Sequence, residues 1–183
     1  MEAVVVFLFI SLLAFSHSQD LFLDNDSNNW DTSLWNLGDS LSNLQLIFNG
    51  FWEQGGLTDP VDEIKCFDQI TAQQTLDALS QILSELAADK YQQAIRTGEA
   101  YVNNLPESVK TCIKTNSETK QMEQAYGLAD ITATAFESKL LKYITLHHSA
   151  FKTQINAINN DDQKGNFKNV GKGCGQLVMN VLK

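Results

Sequence analysis

The densest set of oxygen-bearing side chains near the N-terminus is the run Asp24-Asn25-Asp26-Ser27-Asn28. Aspartates at its first and third positions and an amide at its fifth match the start of a calcium-binding loop. The twelfth position of such a loop supplies a bidentate glutamate, but here it is Trp35. Because that ligand is missing, we expect an acidic, solvated approach to the first helix rather than a metal site.

Side chains that commonly catalyse reactions are scarce. Beyond residue 18 the only histidines are His147 and His148, which point about 100° apart on a helix and cannot chelate a metal together. No nucleophile motif accompanies them. The glycines at 171, 173 and 175 lack the strand and the lysine of a phosphate-binding loop. We therefore predict that the protein is not an enzyme and has no catalytic residues, metal or cofactor.

Three cysteines, Cys66, Cys112 and Cys174, allow three pairings in an oxidising compartment. We favour the pair Cys66 and Cys112, which brackets a helical region. Cys174 lies between two glycines in an apolar helical pattern, which is typical of a small buried side chain. The alternative for Cys174 is an intermolecular bridge.

Aromatic residues cluster early in the chain, at Trp30, Trp35, Phe48, Phe51 and Trp52. Such a cluster is typical of a hydrophobic core. The alternative is a lining for a hydrophobic ligand, or an exposed patch that binds a partner.

The first eighteen residues have the pattern of a secretory signal peptide. An apolar run from Ala3 to Phe15 precedes Ser16 and Ser18, the small residues that a signal peptidase recognises. The run is shorter than the roughly 20 residues of a membrane span, so a membrane anchor is the weaker alternative. We expect cleavage after Ser18, a secreted or lumenal protein, and no transmembrane span in the mature chain. In that compartment Asn25, in the chain's only sequon, is a candidate glycosylation site.

Charge is unevenly distributed along the chain. Residues 19–64 contain nine acidic side chains and no basic one, and all 13 Lys and Arg residues lie from Lys65 onward. This distribution argues against nucleic acid and anionic lipid as partners.

Apolar residues recur at spacings of three and four in every long segment, and no segment alternates with the two-residue period of a strand. We predict an all-α fold, a single compact bundle of four to six helices that follows the cleaved signal peptide. The acidic, Trp-containing segment 19–64 and the main helical region 65–183 are expected to form one domain.

Several residues mark the helix boundaries. Thr71 with Gln74 predicts a capping box at the start of the second helix, and Pro106 ends a helical segment. Gly127 and the His147-His148 pair are the predicted bends in the long pattern that begins at Ser117. In the final helix, Gly171 and Gly175 allow another backbone to approach closely.

Two patches, Asn104 to Cys112 and Asn166 to Leu177, together with Cys66, resemble small secreted helical proteins that are abundant in ciliated protozoa. Those proteins have no assigned activity. The resemblance implies secretion, helicity and a Cys66 to Cys112 bridge, and it names no function.

These features favour a non-enzymatic interaction or structural module of the secretory pathway that binds another protein. The alternative is a carrier of a small hydrophobic or lipid ligand, because helical bundles hold such molecules between their helices. Saposin-like carriers have six cysteines, whereas this chain has three.

Overall fold

The computed structural model describes residues 39–58, 63–129 and 131–183. Within these ranges the chain forms α-helices and one 3-10 helix, with no strand, which confirms the all-α prediction. The α-helices are α1 (Ser40–Gln54), α2 (Gln69–Ala87), α3 (Tyr91–Asn104), α4 (Glu107–Thr115), α5 (Ser117–Ala125), α6 (Ala133–Leu146), α7 (His148–Gln163) and α8 (Phe167–Leu182), and the 3-10 helix is Glu63–Cys66.

The described residues alone hold eight α-helices, more than the four to six expected, because continuous apolar patterns are divided by local backbone geometry. Asp89 has a positive φ of 61° and separates α2 from α3. Gly127, with φ 67°, follows α5, and His147 ends α6. Pro106 stands between α3 and α4, since it disfavours helical geometry in the residue before it. The predicted breaks at Pro106, Gly127 and His147 are thus confirmed.

Helix α2 begins two residues before the predicted capping box. Its N-cap is Asp68, whose carboxylate accepts hydrogen bonds from the backbone N–H and the hydroxyl of Thr71, both at 2.7 Å. These hydrogen bonds lower the pKa of the Asp68 carboxyl, and the bond from the backbone N–H has the larger effect. Thr71 therefore lies in the first turn and is itself buried, so the prediction that it caps the helix was wrong.

Helix α8 is central to the packing. It makes its most extensive contact with α1 and also packs against α6 and α7, while α2 packs against α1, α3 and α7. Gly50 of α1 and Gly171 of α8 lie at the α1–α8 crossing, where a Cβ on either would overlap the opposite backbone. The close backbone approach predicted at Gly171 is confirmed, and it places both helices around one shared core.

A disulfide joins the 3-10 helix to α4. The bond links Cys66 and Cys112, whose Cα atoms are 5.6 Å apart, and confirms the favoured pairing. None of the helices in the described ranges is long and apolar enough to cross a membrane.

Candidate functional site

The early aromatic cluster is divided by the fold. Phe48, Phe51 and Trp52 are buried in the core, where the Phe48 ring lies 5.8 Å from that of Phe67 and the Phe51 ring lies 4.5 Å from that of Tyr126. These three side chains are part of the hydrophobic core and do not line an exposed patch. Trp30, Trp35 and the candidate glycosylation site Asn25 lie outside the described residues, as does the predicted signal peptide.

Cys174 lies on the inner side of α8. Its side chain is buried, and it is close enough to Tyr126 to contribute to the raised pKa of that hydroxyl, although burial is the larger cause. Because the thiol faces the core, a bridge to another chain would require α8 to move away from its neighbours.

The two histidines lead to a group of titratable side chains that we call the corner cluster, namely Asp89, Tyr91, His148 and Lys152. Asp89 lies in the turn between α2 and α3, and it accepts a hydrogen bond of 2.7 Å from the Tyr91 hydroxyl. His148 Nε2 lies 3.2 Å from the same hydroxyl and 4.0 Å from Asp89 Oδ1. Lys152 pairs with the other carboxylate oxygen of Asp89. The cluster therefore joins the α2–α3 turn to the first two turns of α7.

The backbone explains why an aspartate can stand at this point. The N–H of Lys90 donates to the carbonyl of Glu85 at 2.8 Å, and the N–H of Asp89 donates to that of Leu86 at 3.1 Å. This pattern is a Schellman motif, in which the residue at Asp89 adopts the left-handed conformation that glycine prefers. Lys152 also donates to the carbonyl of Ala87 at 2.7 Å, which stabilises the C-terminus of α2.

Within the corner cluster, the interactions between its members shift the pKa values of Asp89 and Tyr91. Hydrogen bonds from Lys152 and then from Tyr91 lower the pKa of the Asp89 carboxyl. Burial, followed by the hydrogen bond to Asp89, raises the pKa of Tyr91 to about 12. The phenol therefore stays protonated at neutral pH and acts as a donor, so it is poorly suited to act as a general base.

Tyr143, Leu146 and His147, at the end of α6, precede His148 in the chain, and we call the surface formed by Tyr91, Tyr143, Leu146, His147 and His148 the corner face. The Phe151 ring lies beneath it, 6.1 Å from the ring of Tyr91 and 6.5 Å from that of Tyr143. The Tyr143 ring also lies 5.1 Å from that of His147. Leu146, the last residue of α6, is 63% exposed. Tyrosine side chains are enriched at the centres of protein interfaces.

Sequence reasoning found only part of this site. It singled out His147 and His148 as a bend, which the structure confirms, but it assigned no functional role to Asp89, Tyr91 or Lys152. Tyr91 and His148 are 57 residues apart, so only the tertiary fold brings them together. A usable local signal was the Asp89-Lys90 pair at the end of an apolar helical pattern, where a turn residue is expected.

In the part of the chain that the structure describes, no group of three or more His, Cys, Asp or Glu side chains is placed to hold a metal ion. Comparisons with protein families, with curated proteins and with solved structures found no match to this chain. The function must therefore be argued from the chain's own surface.

Proposed function

We propose that this chain is an exported, non-enzymatic interaction module that binds a protein partner through the corner face. The observation that carries this proposal is Leu146, which is 63% exposed and adjoins in the chain His147, whose ring packs against that of Tyr143. Burial of such a leucine against a partner would contribute roughly 2 kcal/mol to binding.

The firmness of the corner face supports the proposal. Phe151 is fully buried and supports the rings of Tyr91 and Tyr143 from below. The Lys152–Asp89 pair fixes the first turns of α7 against the neighbouring α2–α3 turn. A surface that is already ordered loses little conformational entropy when a partner binds, so more of the contact energy appears as affinity.

The state of the corner cluster supports a role other than catalysis. Its carboxylate is paired with Lys152 and its phenol donates to that carboxylate, so neither group is available to accept a proton from a substrate. The side-chain nucleophile that a histidine would activate is a hydroxyl or a thiol. Here the polar group nearest to His148 Nε2 is the Tyr91 hydroxyl, whose pKa of about 12 opposes activation.

Export is the second element of the proposal, and it rests on the apolar run Ala3 to Phe15 and the small residues Ser16 and Ser18. The intact mass of the protein from its native source tests it. We expect a chain that begins at Gln19. A mass that includes residues 1–18 would contradict export by cleavage and would favour the anchor alternative.

The partner surface is tested with two matched variants, Leu146→Glu and Ile70→Glu. Ile70 is 66% exposed, at the first turn of α2, so its replacement makes the same chemical change at a different place. The purified full chain is incubated with native secretions, treated with an amine-reactive cross-linker and analysed by mass spectrometry. We expect cross-links to a protein partner at Lys142, which is exposed one turn before Leu146.

The expected result is that Leu146→Glu reduces these cross-links by about tenfold, since a buried charge without a partner is strongly unfavourable, whereas Ile70→Glu leaves them unchanged. Equal losses in both variants, or cross-links at Lys142 that survive in Leu146→Glu, would contradict the corner face as the binding surface. A lipid that co-purifies with the chain in a one-to-one complex would instead favour the carrier alternative.

A further inference from the structure

The segment 106–127, which we call the arm, lies at the edge of the bundle. It contains α4 and α5. The principal packing partners of α4 among the described elements are the 3-10 helix and α5, and that of α5 is α4. By contrast, α1, α2, α7 and α8 pack extensively against one another. The arm is therefore the part of the described fold whose backbone packs least against the central helices, although its buried side chains Val109, Ile113 and Met122 belong to the common core.

Both ends of the arm have the backbone geometry of a hinge. Pro106 stands outside the preceding helix, α3, whose C-cap Leu105 is extended with ψ 134°. At the other end Gly127 has a φ of 67°, which interrupts the helical path between α5 and α6. Residues at element ends that accept a change in φ and ψ are where rigid segments rotate.

Two of the described contacts fasten the arm to the body. The first is the disulfide from Cys112 in α4 to Cys66 in the 3-10 helix. The second is Tyr126, whose hydroxyl donates to the carbonyl of Phe51 at 2.6 Å and whose ring lies 4.5 Å from that of Phe51. Between these attachments the arm buries an apolar inner side formed by Val109, Ile113 and Met122.

We propose that the Cys66–Cys112 disulfide is a redox latch, and that its reduction lets the arm swing open on Pro106 and Gly127 while the rest of the bundle stays folded. Opening exposes the inner side of the arm and the surface that it covers. The protein then presents a different apolar surface in reducing and in oxidising surroundings. This inference is independent of the corner face.

The chemistry is a thiol–disulfide exchange with a dithiol reductant. Cys112 is half-buried and Cys66 is buried, so an incoming thiolate reaches the Cys112 sulfur first. It forms a mixed disulfide there and expels the Cys66 thiolate, which takes up a proton. The second thiol of the reductant then displaces Cys112, so the reductant leaves as a disulfide and both cysteines are thiols. Two electrons and two protons pass from the dithiol to the protein.

The fold supplies an internal control in Cys174. This cysteine is buried in α8 and lies close to Tyr126. If only the arm opens, Cys66 and Cys112 become accessible and Cys174 stays protected by α8. If reduction unfolds the whole bundle, all three thiols become accessible together.

The experiment treats the intact oxidised protein with dithiothreitol under native conditions, alkylates it briefly with iodoacetamide, and measures hydrogen–deuterium exchange in parallel. After reduction we expect alkylation of Cys66 and Cys112 but not of Cys174. Amide exchange should rise by about tenfold or more in residues 107–125 and change by less than about twofold in α2 and α8. The Cys66→Ser/Cys112→Ser double variant should show the same exchange pattern without reductant.

Three results would overturn the latch. Alkylation of Cys174 at the rate of Cys112 would show global unfolding. Unchanged exchange in residues 107–125 after complete reduction would show that the bridge does not hold the arm. A disulfide that resists dithiothreitol until the protein is denatured would show that it cannot operate as a latch in the folded chain.

Discussion

Gly50 of α1 and Gly171 of α8 each face the backbone of the opposite helix at a single crossing. A Cβ on Gly50 would overlap the carbonyl oxygen of Lys168, and a Cβ on Gly171 would overlap that of Ile47. A clashing side chain can rotate away, but a helical carbonyl cannot move without disturbing its own hydrogen bond. The most extensive helix contact among the described elements therefore depends on the absence of a side chain at both positions.

The first prediction compares Gly171→Ala with Gly173→Ala in the same helix. At Gly171 a methyl group must displace the α1 backbone, and we expect a loss of about 3 kcal/mol in the free energy of unfolding. At Gly173 the new Cβ would meet Cγ1 of the buried Ile158 at 2.5 Å, so a side chain and not the backbone of another helix would have to move. Alanine favours the helix by about 1 kcal/mol at both positions, so we expect a smaller loss at Gly173 because no backbone has to be displaced there. Urea denaturation measures both values, and equal losses would contradict the backbone contact.

Much of the fold could be predicted from the sequence, because the spacing of apolar residues reports directly on helical geometry. Phe48 and Phe51 are core residues of α1, as their spacing indicated, and Gly127 breaks the long pattern that begins at Ser117. The helix number was harder to predict, since α4 and α5 are only nine residues each and their apolar residues do not show where one helix ends.

The candidate site could be predicted only in part, because its members meet through tertiary packing. Asp89 owes its position to a left-handed backbone conformation, a state that the sequence signals weakly when the residue is not glycine. Lys152, which pairs with Asp89, belongs to a different helix, α7. Asp89 belongs to the local Schellman motif, but Lys152 comes from a helix far along the chain, so no local pattern connects the two.

The second prediction concerns Asp162 in the last turn of α7. Its side chain is 3% exposed, and its Oδ2 has no hydrogen-bond partner among the described residues. Burial raises the pKa of this carboxyl, and a hydrogen bond with Ser80 opposes the shift only in part. The folded state therefore holds the proton more tightly than the unfolded state does. The stability due to Asp162 is complete below its unfolded pKa of about 4 and is lost as the pH rises through the folded pKa.

We expect Asp162→Asn to remove the loss of stability that the Asp162 carboxyl causes as the pH rises. The variant should gain stability relative to the natural protein as the pH rises from about 4 to 7, by about 1 kcal/mol or more at pH 7. Urea denaturation across this pH range measures the difference. Asp39→Asn makes the same change of charge at an exposed residue whose side chain forms no capping hydrogen bond with α1, and it serves as the control. A stability difference that stays constant with pH would contradict a raised pKa at Asp162.

The third prediction concerns Tyr91. Burial and the hydrogen bond to Asp89 raise the pKa of this residue to about 12. In a spectrophotometric titration, the difference between the natural protein and Tyr91→Phe should show one phenol that ionises near pH 12. In Asp89→Asn the pKa of Tyr91 should fall but stay above its ordinary value of about 10, since burial is the larger cause. A Tyr91 that ionises near its ordinary value in the natural protein would contradict the corner cluster as described.

The last prediction concerns the place where Tyr126 meets α1 and α8. Its hydroxyl donates to the Phe51 carbonyl at 2.6 Å, and a Cβ on Gly175 would lie 2.5 Å from the same hydroxyl oxygen. Tyr126→Phe should lower the free energy of unfolding by about 1 kcal/mol, because the hydrogen bond is lost and the ring remains. Gly175→Ala should also be destabilising, by roughly 1 to 3 kcal/mol, since the methyl group has no room beside the hydroxyl.

The two changes should not be additive. When the hydroxyl is absent, the methyl group at position 175 meets chiefly the side chain of Gln54, whose Cβ is 3.0 Å away and whose Cγ is 3.1 Å away. The double variant should therefore be more stable than the sum of the single losses predicts, by about 0.5 kcal/mol or more. Urea denaturation of the four proteins gives this coupling energy. Additive losses would show that Gly175 is required because of its contact with α1 and not because of its contact with the Tyr126 hydroxyl.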